Sequence, residues 1–245
     1  MATSRMTIEY DGTAFHGWAV QPGLRTVQEE LERALTVVAR HPVHLTVAGR
    51  TDTGVHALGQ VASYTGLPVR VASVNALLPP DVAVVSCEAA PDGFDARRDA
   101  ISRRYRYRIL TRRARSVFDA RTSLHVVRDL DRDLLAACAA MLPGRHDFTA
   151  FTPTETDHVR FERVVHEARW TEEGDRLEFH ITADAFMRHM NRCLVGTMLE
   201  IADRRRPLEG FARLLRGAHR REAGFTAPAR GLTFLEARYP AARLG

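Results

Sequence analysis

One acidic side chain stands out by its frame. Asp52 lies in Gly49-Arg50-Thr51-Asp52-Thr53-Gly54-Val55-His56-Ala57, a tight loop bracketed by glycines, with a guanidinium two residues before the carboxyl. Such an acid can act as a positioned nucleophile or base. It can equally be an Asx-type turn residue, as aspartates beside glycine commonly are. The reactive reading requires an ionised carboxylate in a partly closed site. Burial alone lifts a carboxyl above its usual pKa of about 3.9, so a cation must hold the charge. Arg50 is near in sequence, and Arg192 is a candidate to approach in space.

Two further stretches carry candidate chemistry. In Ile101-Ser102-Arg103-Arg104-Tyr105-Arg106-Tyr107-Arg108-Ile109-Leu110, strand periodicity puts Ile101, Arg103, Tyr105, Tyr107 and Ile109 on one face. Arg104, Arg106 and Arg108 line the other. Basic residues interleaved with aromatics suit nucleic acid, because rings stack on bases while guanidinium groups take phosphates. Tyr105 is the stacking candidate, and Tyr107 reads as a core aromatic. Arg103, Arg104 and Arg106 are candidate RNA contacts. In Phe186-Met187-Arg188-His189-Met190-Asn191-Arg192, helical spacing puts Arg188 and Arg192 on one face, and Arg188 joins the RNA candidates. Plain solvated charge is the alternative for both. Arg204-Arg205-Arg206 and Arg220-Arg221 read as solvated charge that adds to a phosphate-attracting field.

The chain has 245 residues and a net charge of +5, unevenly spread. Residues 1–96 carry −4 and residues 97–245 carry +9; Lys is absent, so every fixed cation is Arg. Guanidinium grips phosphate bidentately, which fits a phosphate-binding surface in the second half. Hydrophobic residues at 45% and charged residues at 27% indicate a soluble globular protein. No apolar run reaches the roughly 18–20 residues that span a bilayer, and no secretory segment is expected, so the expected location is cytoplasmic. Cys87, Cys138 and Cys193 lie far apart in apolar stretches and read as buried thiols. His41 and His44 lack companions at ligand spacing, and no phosphate-loop, dinucleotide or nucleophile-elbow motif is present. Neither a metal nor a cofactor is expected.

These residues need a scaffold. Met6 to Tyr10 reads as a first strand. The capping box Thr26-Val27-Gln28-Glu29 opens a helix with Val27, Leu31, Ala34, Leu35 and Val38 on its apolar face. Alternation of Val43, Leu45 and Val47 predicts a strand over 43–48 that feeds the Asp52 loop. Strands near 60–64 and 82–87 enclose a short helix near 72–78. Pro91-Asp92-Gly93-Phe94-Asp95 marks a turn and a boundary between domains 1–96 and 97–245. The second half reads as the arginine-rich strand, a helix over 131–142, a hairpin turning at 172–175, helices over 186–201 and 208–215, and a closing strand over 232–239. The expected fold class is α+β: two similar halves with mixed, mainly antiparallel sheets flanked by helices, and a basic cleft between them.

Taken in order, these blocks resemble the tRNA pseudouridine synthase A family over nearly the whole chain. The resemblance rests on Glu9-Tyr10-Asp11-Gly12-Thr13, Phe15-His16-Gly17-Trp18, Thr26-Val27-Gln28, the Asp52 loop, Asn75 to Pro79 and Phe94 to Arg97. It continues through Arg103 to Tyr107, His146-Asp147-Phe148, Phe186 to Gly196 and Ala227 to Leu232. It implies isomerisation of uridine to pseudouridine in the tRNA anticodon stem-loop, at positions thirty-eight to forty of tRNA numbering, without metal or cofactor. It implies that Asp52 is the essential aspartate, as nucleophile or as base. Tyr105 would pack against the target uracil, Arg192 would keep Asp52 ionised, and Arg50 would stabilise the displaced nucleotide. It also implies a homodimer. The chain departs from the family at Asn191, commonly apolar there, at Cys193, commonly Asn, and at Ala202-Asp203-Arg204, where glycines are usual. The rival readings are a non-catalytic RNA-binding chaperone and an Asp-dependent hydrolase of small acidic substrates.

Overall fold

The computed structural model describes residues 2–156 and 159–243. They divide into two compact units: the chain up to Arg103 together with the segment from Thr233, and Arg104–Leu232. The fold is α+β, as expected, with mixed, mostly antiparallel strand pairing and a few flanking helices.

In the first unit, β1 (Thr3–Tyr10) buries Met6 and Ile8 fully. Thr26 caps α1 (Val27–Ala39), its hydroxyl accepting from the Glu29 N–H at 3.4 Å. Val27, Leu31, Ala34 and Leu35 are wholly buried at helical spacing. Each such leucine contributes about 2 kcal/mol, so packing holds this helix more than propensity does. The strand expected over 43–48 is cut to β2 (Thr46–Val47). Val43, Leu45 and Val47 are buried in alternation, but α1 side chains take the upstream backbone donors. The Val43 N–H goes to Thr36 Oγ1 at 3.3 Å and the Leu45 N–H to Glu32 Oε1 at 2.8 Å. Antiparallel pairs join β2 to β3 (His56–Thr65), β3 to β1, and β1 to β4 (Val82–Ala90), with the short α2 (Val71–Asn75) between β3 and β4 in sequence.

The second unit is built on β5 (Ser102–Leu110), which takes β6 (Leu124–His125) as a parallel partner. Asp131 caps α3 (Arg132–Ala140), accepting from two backbone N–H groups. Beyond β7 (Gly144–Asp147), β8 (Glu162–Glu173) and β9 (Arg176–Ala183) form the expected hairpin, turning at Gly174 with φ 59°. The unit's strand order is β5-β9-β8-β7. The helix expected from 186 begins later, as α4 (Met190–Ala202). His189 adopts φ 61° at its N-cap, so 186–189 turn rather than coil. The inward residues are as expected: Met187, Met190, Leu194, Met198 and Ile201 are all buried. Asn191 is also buried, and its Oδ1 has no hydrogen-bond partner among the described residues. Arg204 sits at φ 60° and pairs with Asp131 at 2.9 Å. The helix α5 (Glu209–Leu214) follows.

The last strand, β10 (Leu232–Arg238), returns to the first unit and pairs parallel with β3, Thr233 opposite His56. Gly59 permits this approach, because a Cβ there would lie 2.4 Å from the Leu235 carbonyl oxygen. Cys138 and Cys193 are buried and Cys87 is half-buried; all three are free thiols. Burial pushes the Cys138 thiol up to about 12. Among the described residues no group of three or more His, Cys, Asp or Glu is arranged to hold a metal, and no helix is long and apolar enough to cross a membrane.

Candidate active site

The Asp52 loop joins β2 to β3, and its shape is fixed from three sides. On one side lies the segment 15–18. The Trp18 N–H donates to the Thr51 carbonyl at 3.1 Å, and the Gly54 N–H donates to the Phe15 carbonyl at 3.3 Å. That approach leaves no room for side chains: a Cβ on Gly17, itself at φ 90°, would lie 2.9 Å from the Thr51 oxygen. A Cβ on Gly12 would lie 2.1 Å from the Val55 oxygen. Below the loop, the buried Tyr10 hydroxyl meets Thr51 Oγ1 at 2.7 Å, and Gln60 Nε2 donates to the Gly49 carbonyl at 2.8 Å. Burial raises the Tyr10 phenol to about 12, so it stays a neutral hydrogen-bonding group across the working range. Behind the loop, the Gly12 N–H donates to Nδ1 of buried His56 at 3.0 Å.

The segment 15–18 is anchored in turn. Arg25 lies 4.2 Å over the Phe15 ring and grips Asp81 with both terminal nitrogens, at 2.7 and 2.8 Å. The Arg25 guanidinium holds the Asp81 carboxyl below its ordinary range. Asp52 itself is half-buried at the loop tip, while Thr51 before it is buried. Arg50 is exposed and makes no ion pair among the described residues, so the cation nearest in sequence does not partner Asp52. Arg103 also departs from expectation. It is 8% exposed, and its guanidinium donates to the carbonyls of Ala48 at 3.0 Å, Ala100 at 2.8 Å and Arg97 at 2.5 Å. It is a buried clamp on the chain leading into the Asp52 loop, not a surface cation for RNA.

The remaining candidates belong to the second unit. Tyr105 is 6% exposed, its ring edge-on to Phe186 with centroids 4.9 Å apart. Tyr107 is a core residue: its hydroxyl donates to the Pro228 carbonyl at 2.8 Å, and Gly231 lies against its ring. On the opposite face of β5, Arg104 and Arg106 are half-buried. Arg106 lies 3.6 Å and Arg108 2.7 Å from Glu178. His180, Arg108 and Arg106 together hold the Glu178 carboxyl down at about 2. Arg192 is half-buried in the first turn of α4, where its Nε donates to the Ala227 carbonyl at 2.8 Å and its carbonyl accepts from the Ala227 N–H at 3.0 Å. Arg188 is exposed and precedes the helix, so it does not share a helical face with Arg192.

The sequence reading missed the supports Tyr10, Gln60, His56 and Arg25. Gln60 is a fully buried amide, and a group of that kind must have a partner. Chemically, the arrangement offers a half-buried carboxyl at the tip of a loop whose backbone is held by amides, a hydroxyl and a carboxamide.

Comparison with known proteins agrees over nearly the full length. The family model described as tRNA pseudouridine synthase matches residues 6–91 and 138–240. A protein of Myxococcus xanthus named tRNA pseudouridine synthase A is 40% identical over 98% of this chain and 92% of its own. Proteins of the same name from Bacillus subtilis and Burkholderia multivorans are 39% and 42% identical, over 93% and 96% of this chain and 95% and 88% of theirs. A chain of a solved Cbf5-Nop10-Gar1 complex aligns at a TM-score of 0.35 with 10% identity, over 94% of this chain and 57% of that one.

Proposed function

The chain belongs to the tRNA pseudouridine synthase family, and from that premise we propose that it isomerises uridine to pseudouridine in the anticodon stem-loop of tRNA, at positions thirty-eight to forty, with Asp52 as the essential acid. The bond from ribose C1′ to uracil N1 breaks and a bond from C1′ to C5 forms. C5 gives up its proton and N1 ends with one, so the product is an isomer and no redox equivalent is consumed. In this reading Asp52 acts on the sugar or as a base. Tyr105 packs against the turned uracil, Arg192 keeps Asp52 ionised, and Arg50 stabilises the nucleotide that extrusion displaces. Lifting a base from its stack costs a few kcal/mol, which arginine contacts to flanking phosphates offset. A homodimer in the cytoplasm belongs to the same reading.

The observation that supports it best is the frame around Asp52: a half-buried carboxyl between Thr51, held by Tyr10, and Gly54, held by Phe15. Turn chemistry alone does not call for that many buried supports. The decisive experiment incubates the protein, with chelator, with unmodified tRNA carrying uridine at the three positions, then maps pseudouridine. Wild type is expected to convert, and Asp52→Asn to lose about 10³-fold or more in rate while tRNA affinity stays within about threefold. Conversion by Asp52→Asn at the wild-type rate sinks the assignment. Retained function without conversion favours the chaperone, and release of free base favours the hydrolase.

A further inference from the structure

The second unit holds a basin of about 740 Å³ beside α4, lined by residues 153–155, 188–189, 206, 219–221 and 223–226. Its fixed cations are Arg188, Arg206, Arg220 and Arg221, and Glu155 is the one acid among the lining residues. The sequence reading left Arg206, Arg220 and Arg221 as solvated surface charge. The structure gives two of them a different role. Arg206 pairs with Glu200 and donates to the carbonyls of Glu222 at 2.7 Å and Ala223 at 3.2 Å. Arg220 donates to the Gly224 carbonyl at 2.9 Å and to Thr226 Oγ1 at 3.0 Å. These contacts fix the wall of the basin. Those of Arg220 go to neutral acceptors and use only part of its five N–H donors, so its charge remains on offer. Arg221 is exposed and has no ion-pair partner among the described residues.

Phe225 sets this basin apart from a diffuse basic surface. Its backbone is locked: the N–H donates to Glu200 Oε1 at 3.3 Å, and its carbonyl presses on α4 where a Cβ at Gly196 would sit 1.8 Å away. Yet its ring is 38% exposed and faces the basin. An exposed ring on a fixed backbone beside guanidinium groups is a combination that binds unpaired nucleotides, base on ring and phosphate on cation. The volume lies in the range, roughly 300–1,000 Å³, that accepts whole small molecules, and is larger than a lone phosphate requires.

We propose that this basin binds one unpaired nucleotide of the RNA substrate, away from the reacting uridine, with its base against Phe225 and its phosphate on Arg220 and Arg221. The proposal rests on the tRNA reading above for the identity of the RNA. It makes Phe225 and Arg221 substrate-binding residues with no part in bond making.

The test measures equilibrium binding of unmodified tRNA across a salt series, and the single-turnover rate at saturating tRNA. It uses wild type, Phe225→Ala, Phe225→Tyr, Arg221→Ala and, as a control in the first unit, Arg70→Ala, an exposed arginine. Phe225→Ala is expected to bind about tenfold more weakly, within the span measured for base–aromatic stacking, and Phe225→Tyr to stay within about twofold of wild type. Arg221→Ala is expected to reduce the slope of log affinity against log salt by about one. Saturated single-turnover rates should stay within about twofold for all. The proposal is overturned if Phe225→Ala binds as wild type, if Phe225→Tyr fails alongside it, or if Arg70→Ala weakens binding as much as Arg221→Ala. If wild type binds tRNA but makes no pseudouridine, the catalytic reading falls while the binding comparisons still decide the basin.

Discussion

The Asp52 loop and the 220–226 segment beside α4 are both irregular chain held in one shape, by a different balance of contacts. Around Asp52 the supports of the loop itself are mainly backbone amides, the Tyr10 hydroxyl and the Gln60 carboxamide, with Arg103 clamping the Ala48 carbonyl just before it. Around 220–226 they are guanidinium groups, with Arg206 and Arg220 reaching into carbonyls. Arginines that brace carbonyls shape the chain and leave most of the positive potential in place, because a carbonyl has no net charge to offset it. Where the partner is a carboxylate, as for Arg206 with Glu200, the cation becomes structural.

Substitutions on either side sharpen the contrast. The largest effect is expected from Gly12→Ala, since the new methyl would meet the Val55 carbonyl at 2.1 Å. Denaturant unfolding should show a loss of about 3 kcal/mol, with activity falling in parallel. A change under about 0.5 kcal/mol would mean the loop is not confined by that approach. Next comes Arg206→Met, which strands the Glu200 carboxylate and two carbonyls. About 2 kcal/mol is expected from the same measurement. Wild-type stability there would dissolve the notion of an arginine-braced segment.

Tyr10→Phe removes only the hydroxyl bonded to Thr51 and should cost about 1 kcal/mol. Its sharper readout is kinetic: kcat down about tenfold with KM unchanged, as expected when a catalytic group is held less firmly. An unchanged kcat uncouples Tyr10 from Asp52. The smallest effect is confined to acid. Glu178 has a native pKa near 2 against an ordinary 4.5, so the unfolded chain binds its proton first as pH falls. The ion cluster's stabilisation is therefore complete above about pH 4.5 and lost on descent towards pH 2. After solvent screening it is on the order of 1 kcal/mol. Unfolding curves of wild type and Glu178→Gln should differ at pH 6 and converge by pH 2; a constant gap excludes the cluster as the cause.

Much of this was open to local reasoning. The α1 cap at Thr26, the buried stripe of α1, the hairpin turning at Gly174 and the alternation along β5 depend on neighbours a few residues away, and periodicity reports such neighbours directly. The exceptions have local causes that only side-chain geometry reveals. The strand over 43–48 shrank because Thr36 and Glu32 captured its donors. The helix at 186 began four residues late because His189 turned left-handed.

The amino-acid order by itself determined the α+β class, the reactive candidate Asp52 and the basic character of the second half, since composition, spacing and turn chemistry are short-range properties of the chain. Only the tertiary structure decided which arginines are buried struts and which stay at the surface. It buried Arg103 on three carbonyls, left Arg50 exposed, and gathered Arg188, Arg220 and Arg221 around Phe225. It also brought β10 back beside β3. A guanidinium reads the same in any sequence; its role depends on which acceptors the fold places within about 3 Å, and those come from distant parts of the chain.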